Sequence, residues 1–262
     1  MANQHPEIVE QPKKFRFDWL PGILFRPRRT LSQIAEQSKL SVWFLPMIIL
    51  TLTAIGLVVV SGPIIKNNAL MKGPEYPPDY QWWSPEQQTQ FMKTFEAKQS
   101  PVFIYIFPGL VAVGKVWLVW LFVMGLLHLA STILGGRSST FATANLVAWA
   151  AIPFGLRDIV QIIFILSKHQ LILNRGLSGF APQGDSNIIL YLIKFLSLVD
   201  IYVFWYAALL IGGVRVMMGL SRQKTWLGVV VTILITFGIA ALVSYGAAKL
   251  GSMNVSRPFF FF

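Results

Sequence analysis

The sequence has no cysteine and few charged residues. The absence of cysteine from all 262 residues excludes disulfides, thiolate metal sites and cysteine nucleophiles. Charged residues make up 13% of the chain, against about 25% in soluble domains. Hydrophobic residues make up 55% and the mean hydropathy is +0.59. This composition predicts an integral membrane protein.

Histidine and the common catalytic motifs are also scarce. The three histidines, His5, His128 and His169, are scattered along the chain. No His-Glu-x-x-His, P-loop or Gly-x-Ser-x-Gly motif occurs. We therefore predict no enzymatic activity, no metal site and no cofactor.

Acidic residues are half as frequent as basic ones. The chain has 22 lysines and arginines against 11 acids, for a net charge of +11. In a soluble protein this excess would suggest nucleic acid as a partner. Here the basic residues lie mainly in the N-terminal region and the loops. We interpret them as contacts with lipid headgroups that set the topology, and predict no nucleic-acid partner.

Apolar runs dominate the remaining sequence. Because a bilayer core needs about 20 apolar residues per helix, they predict an all-α bundle of five transmembrane helices. The predicted spans are residues 42–65, 102–134, 141–166, 188–211 and 226–250. They form a membrane domain over residues 41–250, with an outer loop at residues 66–100.

The segments that flank this domain differ from each other. Residues 1–17 and 251–262 are expected to be tails. Residues 18–40 place apolar residues at helical spacing among polar ones, which predicts an interfacial amphipathic helix. Arg26, Arg28 and Arg29 are the predicted membrane-surface contacts.

The distribution of lysine and arginine predicts the orientation. With the N-terminus inside, 11 of these residues lie on the inner side and eight on the outer side. Because basic residues favour the cytoplasmic side, the sequence predicts a cytoplasmic N-terminus and an outside C-terminus.

Five charged residues fall inside the apolar runs: Lys115, Arg157, Asp158, Lys194 and Asp200. Intramembrane charges are costly, so they are usually paired or functional. At about 1.5 Å per residue, Lys194 and Asp158 lie roughly 9 and 12 Å from the outer ends of their predicted spans. Asp200 lies roughly 18 Å deep and needs a partner on another helix.

The cluster is either a set of structural ion pairs, with Lys115 or Lys194 against Asp158, or an outward-facing basic cavity for an anion. A proton or ion relay is a third interpretation.

The last span has small residues every four positions: Thr232, Thr236, Ala240, Ser244 and Ala248. Small residues let another helix approach closely. The stripe predicts either packing within the bundle or a face for a partner or a second copy.

Several stretches resemble the Yip1-domain family in its bacterial form. They are Pro27 to Thr30, Leu127 to Phe141 with its Gly135-Gly136 turn, Ala150 to Pro153, Leu198 to Tyr202, and Leu210 to Gly213. The resemblance covers roughly residues 20 to 250 and implies a five-helix membrane protein. The Asp-Leu-Tyr-Gly-Pro motif of the eukaryotic branch is absent. Among bacterial relatives the resemblance implies accessory membrane proteins of ABC-type exporters.

Three functions remain open on this basis. The first is a non-enzymatic accessory or scaffold subunit in the bacterial cytoplasmic membrane, partnered by lipids and by another membrane complex such as an ABC-type exporter, or by itself. The second is a small transporter or channel that uses the charged residues. The third is a membrane organisation or trafficking factor that uses the amphipathic segment.

Overall fold

The computed structural model describes residues 16–37, 42–184 and 186–254, with side chains up to residue 250. These residues are mainly helical and include no β-strand. Most of the two predicted tails, residues 1–15 and 255–262, lies outside them. The predicted all-α class is confirmed.

Ten α-helices make up the described chain. They are α1 Trp19–Phe25, α2 Pro27–Glu36, α3 Phe44–Lys72, α4 Pro85–Ala97, α5 Phe107–Ile133, α6 Thr140–Ala150, α7 Ile152–Lys168, α8 Asn187–Leu196, α9 Ile201–Met218 and α10 Arg222–Asn254. A π-helical turn, Val102–Ile106, leads into α5, and short 3-10 helices cover Tyr80–Trp82 and Gly176–Phe180. Five segments are long and apolar enough to cross a membrane: Phe44–Lys72, Val102–Ile133, Thr140–Lys168, Ile201–Met218 and Arg222–Leu250.

The fourth span differs from the predicted 188–211. The chain breaks after α8 at Leu196, and the spanning helix α9 begins at Ile201. The cause is Asp200, whose backbone is extended at φ −141° and ψ 178°. Its Oδ1 accepts the N–H of Val203 at 3.0 Å, which satisfies a free donor at the start of α9. The apolar residues on both sides of Asp200 concealed this helix boundary.

The N-terminal segment forms two short helices instead of one. Pro27 begins α2 directly after the break at Arg26, as proline suits a first helical turn. The side chains of Trp19, Ile23, Leu31 and Ile34 are all buried. They pack α1 and α2 against α6, α7 and α9. The apolar side of this segment is therefore used within the bundle.

The third span is built from α6 and α7, which meet at Ala151 ahead of Pro153. The α6 part is buried and fixes the start of α3. Trp149 Nε1 donates to the carbonyl of Val42 at 3.1 Å, and the Trp43 N–H donates to Asn145 Oδ1 at 3.0 Å. These bonds anchor the beginning of the first span to the middle of the third.

Packing sets the order of the long helices. Helix α3 packs between α5 and α7, and α9 packs against α2, α6, α7 and α10. Helix α10 also packs against α5 and α8. We call the end of the bundle with residues 73–101 and 169–186 the long-loop end. The opposite end, with residues 134–139 and 219–221, is the short-loop end.

The small-residue stripe on α10 does not stay on one face of the bundle. Thr232 and Thr236 are buried at 0% and 5% exposure, whereas Ser244 is exposed. Four residues advance about 40° beyond a full helical turn, so three such steps rotate the stripe by roughly 120°. The stripe is therefore buried at Thr232 and Thr236, exposed at Ser244 and half-buried at Ala240 and Ala248.

Candidate functional site

Five charged side chains lie towards the long-loop end and interact with one another: Lys115, Arg157, Asp158, Arg175 and Asp200. We call them the charge cluster. They come from α5, α7, the loop before the 3-10 helix Gly176–Phe180, and the N-terminus of α9. No single stretch of sequence contains the site, because separate helices supply its members.

Arg157 is the centre of the cluster. Its Nε and Nη2 lie 3.4 Å from Oδ1 of Asp158, and its Nη1 lies 3.5 Å from Oδ2 of Asp200. These separations exceed the usual length of an N–H···O hydrogen bond, so we describe both contacts as ion pairs. The guanidinium also lies 5.0 Å from the ring of Phe154. One arginine thus faces both carboxylates of the cluster.

The break between α8 and α9 is held by the loop that carries Arg175. Gly176 has φ +56°, and a Cβ there would lie 2.5 Å from the Val199 carbonyl oxygen and 2.9 Å from that of Leu196. The next residue, Leu177, donates its N–H to the same Val199 oxygen at 3.0 Å. Glycine is therefore required at 176, both for its backbone conformation and for this close approach.

Lys115 contributes to the cluster from a more distant helix. It lies on α5, which α3 separates from α7, yet it interacts electrostatically with Arg157, Asp158 and Arg175. Its side chain is exposed. Lys115 is therefore accessible from the surface of the bundle.

The charged residues of the three long helices lie at a common level. Along the helix axis, Lys115 is about 27 Å from the last residue of α5, and Asp200 is about 27 Å from the last residue of α9. Arg157 is about 26 Å from the first residue of α6. A hydrocarbon core is about 30 Å thick. If the short-loop end lies at one boundary of that core, the cluster lies close to the other.

The structure brings together four of the five charged residues that the sequence singled out. Lys194 is the exception, since it lies on α8 and makes no ion pair among the described residues. Asp158 has Arg157 as its ion-pair partner, instead of Lys115 or Lys194. Asp200 is not deep in a helix, because it caps the start of α9.

Sequence reasoning missed Arg175. It lies in a polar loop, where charged residues are ordinary, so hydropathy gave no signal for it. The following glycine was the available clue, since it allows a left-handed turn against a neighbouring backbone.

The cluster holds three cations and two carboxylates, so its chemistry favours an anion. The described residues contain no group of three histidine or acidic side chains that could hold a metal ion. Both acids already face Arg157. With Lys115 and Arg175 included, the cluster carries a net charge of +1.

Two further surfaces were singled out by the sequence. Arg26, between α1 and α2, and Arg28 and Arg29 on α2 are exposed, as lipid headgroup contacts require. On α10, Ala240 and Ala248 are half-buried and Ser244 is exposed. The Ser244 hydroxyl donates to the carbonyl of Ala240 at 2.8 Å, so it is already bonded.

A comparison with protein-family models matches the Yip1 domain over residues 22–245. The chain belongs to the Yip1-domain family. The match covers part of α1, all of α2, four spans in full and most of the fifth, which fits the core that these helices share. No match was found among curated proteins or solved structures.

Proposed function

We propose that this Yip1-domain protein is a non-enzymatic accessory or scaffold subunit of a membrane complex, with an ABC-type exporter as the leading candidate partner. The supporting observation is the exposed part of α10. Val243, Ser244 and Ala247 are all exposed within the span. Small residues on an exposed membrane helix suit close approach by a helix of another protein.

The first test is purification of the tagged protein from its native membrane in a mild detergent, followed by mass spectrometry. We expect exporter subunits in stoichiometric amounts. Purification alone or as a homo-oligomer would remove the support for this partner.

A pair of substitutions on α10 tests the proposed face. Ser244→Trp should abolish co-purification, since an indole blocks close helix approach. Leu242→Trp is the matched control: Leu242 is 59% exposed and lies about 200° away around the helix, on nearly the opposite side. Equal loss in both variants, or in neither, would contradict a partner at the Ser244 face.

The charge cluster favours a second candidate function, a small transporter or channel. Discontinuous helices often surround the substrate sites of transporters, and here a helix break lies beside ionised side chains. Under this function Lys115→Gln should abolish solute uptake into proteoliposomes while leaving thermal stability unchanged. Uptake at the native rate would exclude it.

The third candidate, a membrane organiser that inserts its amphipathic segment, has less support. Surface insertion needs a free apolar face, and the large apolar side chains of α1 and α2 are mostly buried in the bundle. The exposed Phe25 and the three arginines still permit headgroup contact. Neutralising Arg26, Arg28 and Arg29 together should weaken vesicle clustering if this function holds.

We further propose that the protein lies in the bacterial cytoplasmic membrane with its N-terminus inside. The lack of native cysteine makes this testable with single cysteines. A membrane-impermeant maleimide should label Gln90→Cys in intact cells, and Gln223→Cys only after permeabilisation; both residues are exposed. The reverse labelling pattern would invert the orientation.

A further inference from the structure

We propose that the charge cluster binds the phosphate of an anionic lipid headgroup, with Lys115 and Arg175 as the contacting cations. This site is distinct from the α10 face and does not depend on the proposed accessory role. It would give the protein a preference for membranes that contain anionic lipid.

The cations of the cluster differ in their ion pairing. Arg157 is paired with both Asp158 and Asp200. Neither Lys115 nor Arg175 makes an ion pair with an acid that the structure describes. Each is exposed, and with Arg157, Asp158 and Asp200 the cluster carries a net charge of +1. A net positive cluster with two exposed cations outside its ion pairs favours an anion.

The surroundings of Lys115 favour an anion with an apolar part. Val111, Leu118 and Val119 lie four or fewer residues from Lys115 on α5, on the same side, and are 54%, 67% and 38% exposed. The lysine is thus the one charged residue on an otherwise apolar, exposed stripe. A lysine among exposed apolar side chains of a span is costly, and a counter-ion carried by a lipid lowers that cost.

The depth of the cluster suits a headgroup. It lies about 26–27 Å from the short-loop ends of its helices, so it lies near the far boundary of a core of about 30 Å if the short-loop end marks the near one. A lipid phosphate at that boundary could approach from the side of the bundle, with its acyl chains along α5. Arginine adds specificity, because its planar guanidinium matches two phosphate oxygens.

The loop holds Arg175 in place. Gly176 packs against the carbonyls that end α8, and Leu177 is hydrogen-bonded to the same break. The preceding arginine is therefore attached to a loop with a defined conformation, beside the start of α9. A fixed backbone lowers the entropy cost of ordering its side chain around a ligand.

The test is native mass spectrometry of the full-length protein in detergent, titrated separately with phosphatidylglycerol, phosphatidylcholine and inorganic phosphate. We expect phosphatidylglycerol to bind more tightly than phosphatidylcholine. Each of Lys115→Gln and Arg175→Gln should weaken phosphatidylglycerol binding by about tenfold, as the loss of a charge-assisted hydrogen bond implies. Lys115→Arg should retain it.

The control is Lys72→Gln with Lys98→Gln, which removes two exposed charges at the same end of the bundle but outside the cluster. This double variant should bind like the wild type. Equal affinity of the wild type for the two lipids would overturn the proposal, and so would native affinity in the Lys115→Gln/Arg175→Gln variant. If inorganic phosphate binds the cluster and the lipid adds no affinity, the ligand is a soluble anion and the lipid assignment is wrong.

Discussion

Substitutions of Asp200 separate two contributions that its carboxylate makes to the stability of the protein. Its Oδ1 caps α9 by accepting the N–H of Val203 at 3.0 Å, and its Oδ2 lies 3.5 Å from Arg157. Loss of an N-cap costs about 1 kcal/mol of the free energy of unfolding. A partly exposed ion pair contributes at most about 1 kcal/mol. Asp200→Ala should therefore lower the stability by about 2 kcal/mol.

Asp200→Asn isolates the second contribution. Asparagine caps helices as well as aspartate does, so only the ion pair and the favourable charge at the helix N-terminus are lost. We expect a loss of about 1 kcal/mol. Ser186→Ala provides the reference for a cap alone, since the Ser186 hydroxyl accepts the Ile189 N–H at 3.2 Å at the start of α8. It should also cost about 1 kcal/mol.

The assay is unfolding of the purified protein in mixed micelles with increasing dodecyl sulfate, followed by tryptophan fluorescence and circular dichroism. Equal destabilisation by Asp200→Asn and Asp200→Ala would show that the cap contributes nothing. Native stability of Asp200→Ala would refute both contributions, and with them the physical account of the break between α8 and α9.

Three other predictions concern separate parts of the structure. Asn145→Leu should cost about 1–3 kcal/mol in the same unfolding assay, because it leaves the Trp43 N–H without its acceptor; native stability would contradict that bond. Gly176→Ala should destabilise the protein, whereas Gly179→Ala, whose added Cβ would meet nothing closer than 3.6 Å, should not; similar melting temperatures for the two variants would contradict the close packing of this loop. Hydrogen bonds from its own backbone amide and from Ser84 lower the pKa of Glu86, so α4 is stabilised above the ordinary glutamate pKa of about 4.3 and loses that stabilisation as the pH falls below it. Hydrogen exchange of the α4 amides, corrected for intrinsic rates, should therefore accelerate in acid in the wild type and not in Glu86→Gln; the same acceleration in both would exclude Glu86 as the cause.

Hydropathy was sufficient to predict that there are five spans, because crossing a bilayer requires long apolar runs whatever the tertiary structure. It could not locate the break at 197–200, where the run continues through Leu198 and Val199. The local signal there was Asp200 directly before an apolar stretch, which is a helix-start pattern.

The candidate site was predictable in part, because hydropathy also reveals charged residues within apolar runs. Charged residues inside apolar runs are conspicuous, so Lys115, Arg157, Asp158 and Asp200 were identified. Their pairing was not predictable, because it depends on which helices are neighbours. The small-residue stripe on α10 was visible in the sequence. Which of its residues face the bundle was not, because that depends on how α10 packs against α5 and α9.

The anchoring of Val42 and Trp43 by α6 has a consequence for biogenesis. The chain must extend more than 100 residues beyond these positions before Asn145 and Trp149 exist to bind them. At about 5–20 residues per second, synthesis of that stretch takes about 5–20 s. The packing of α2 against α9 is delayed further, since α9 follows later in the chain. The segment made first is therefore among the last to reach its native place, and until then its buried tryptophan and isoleucine side chains are available to lipids or to a chaperone.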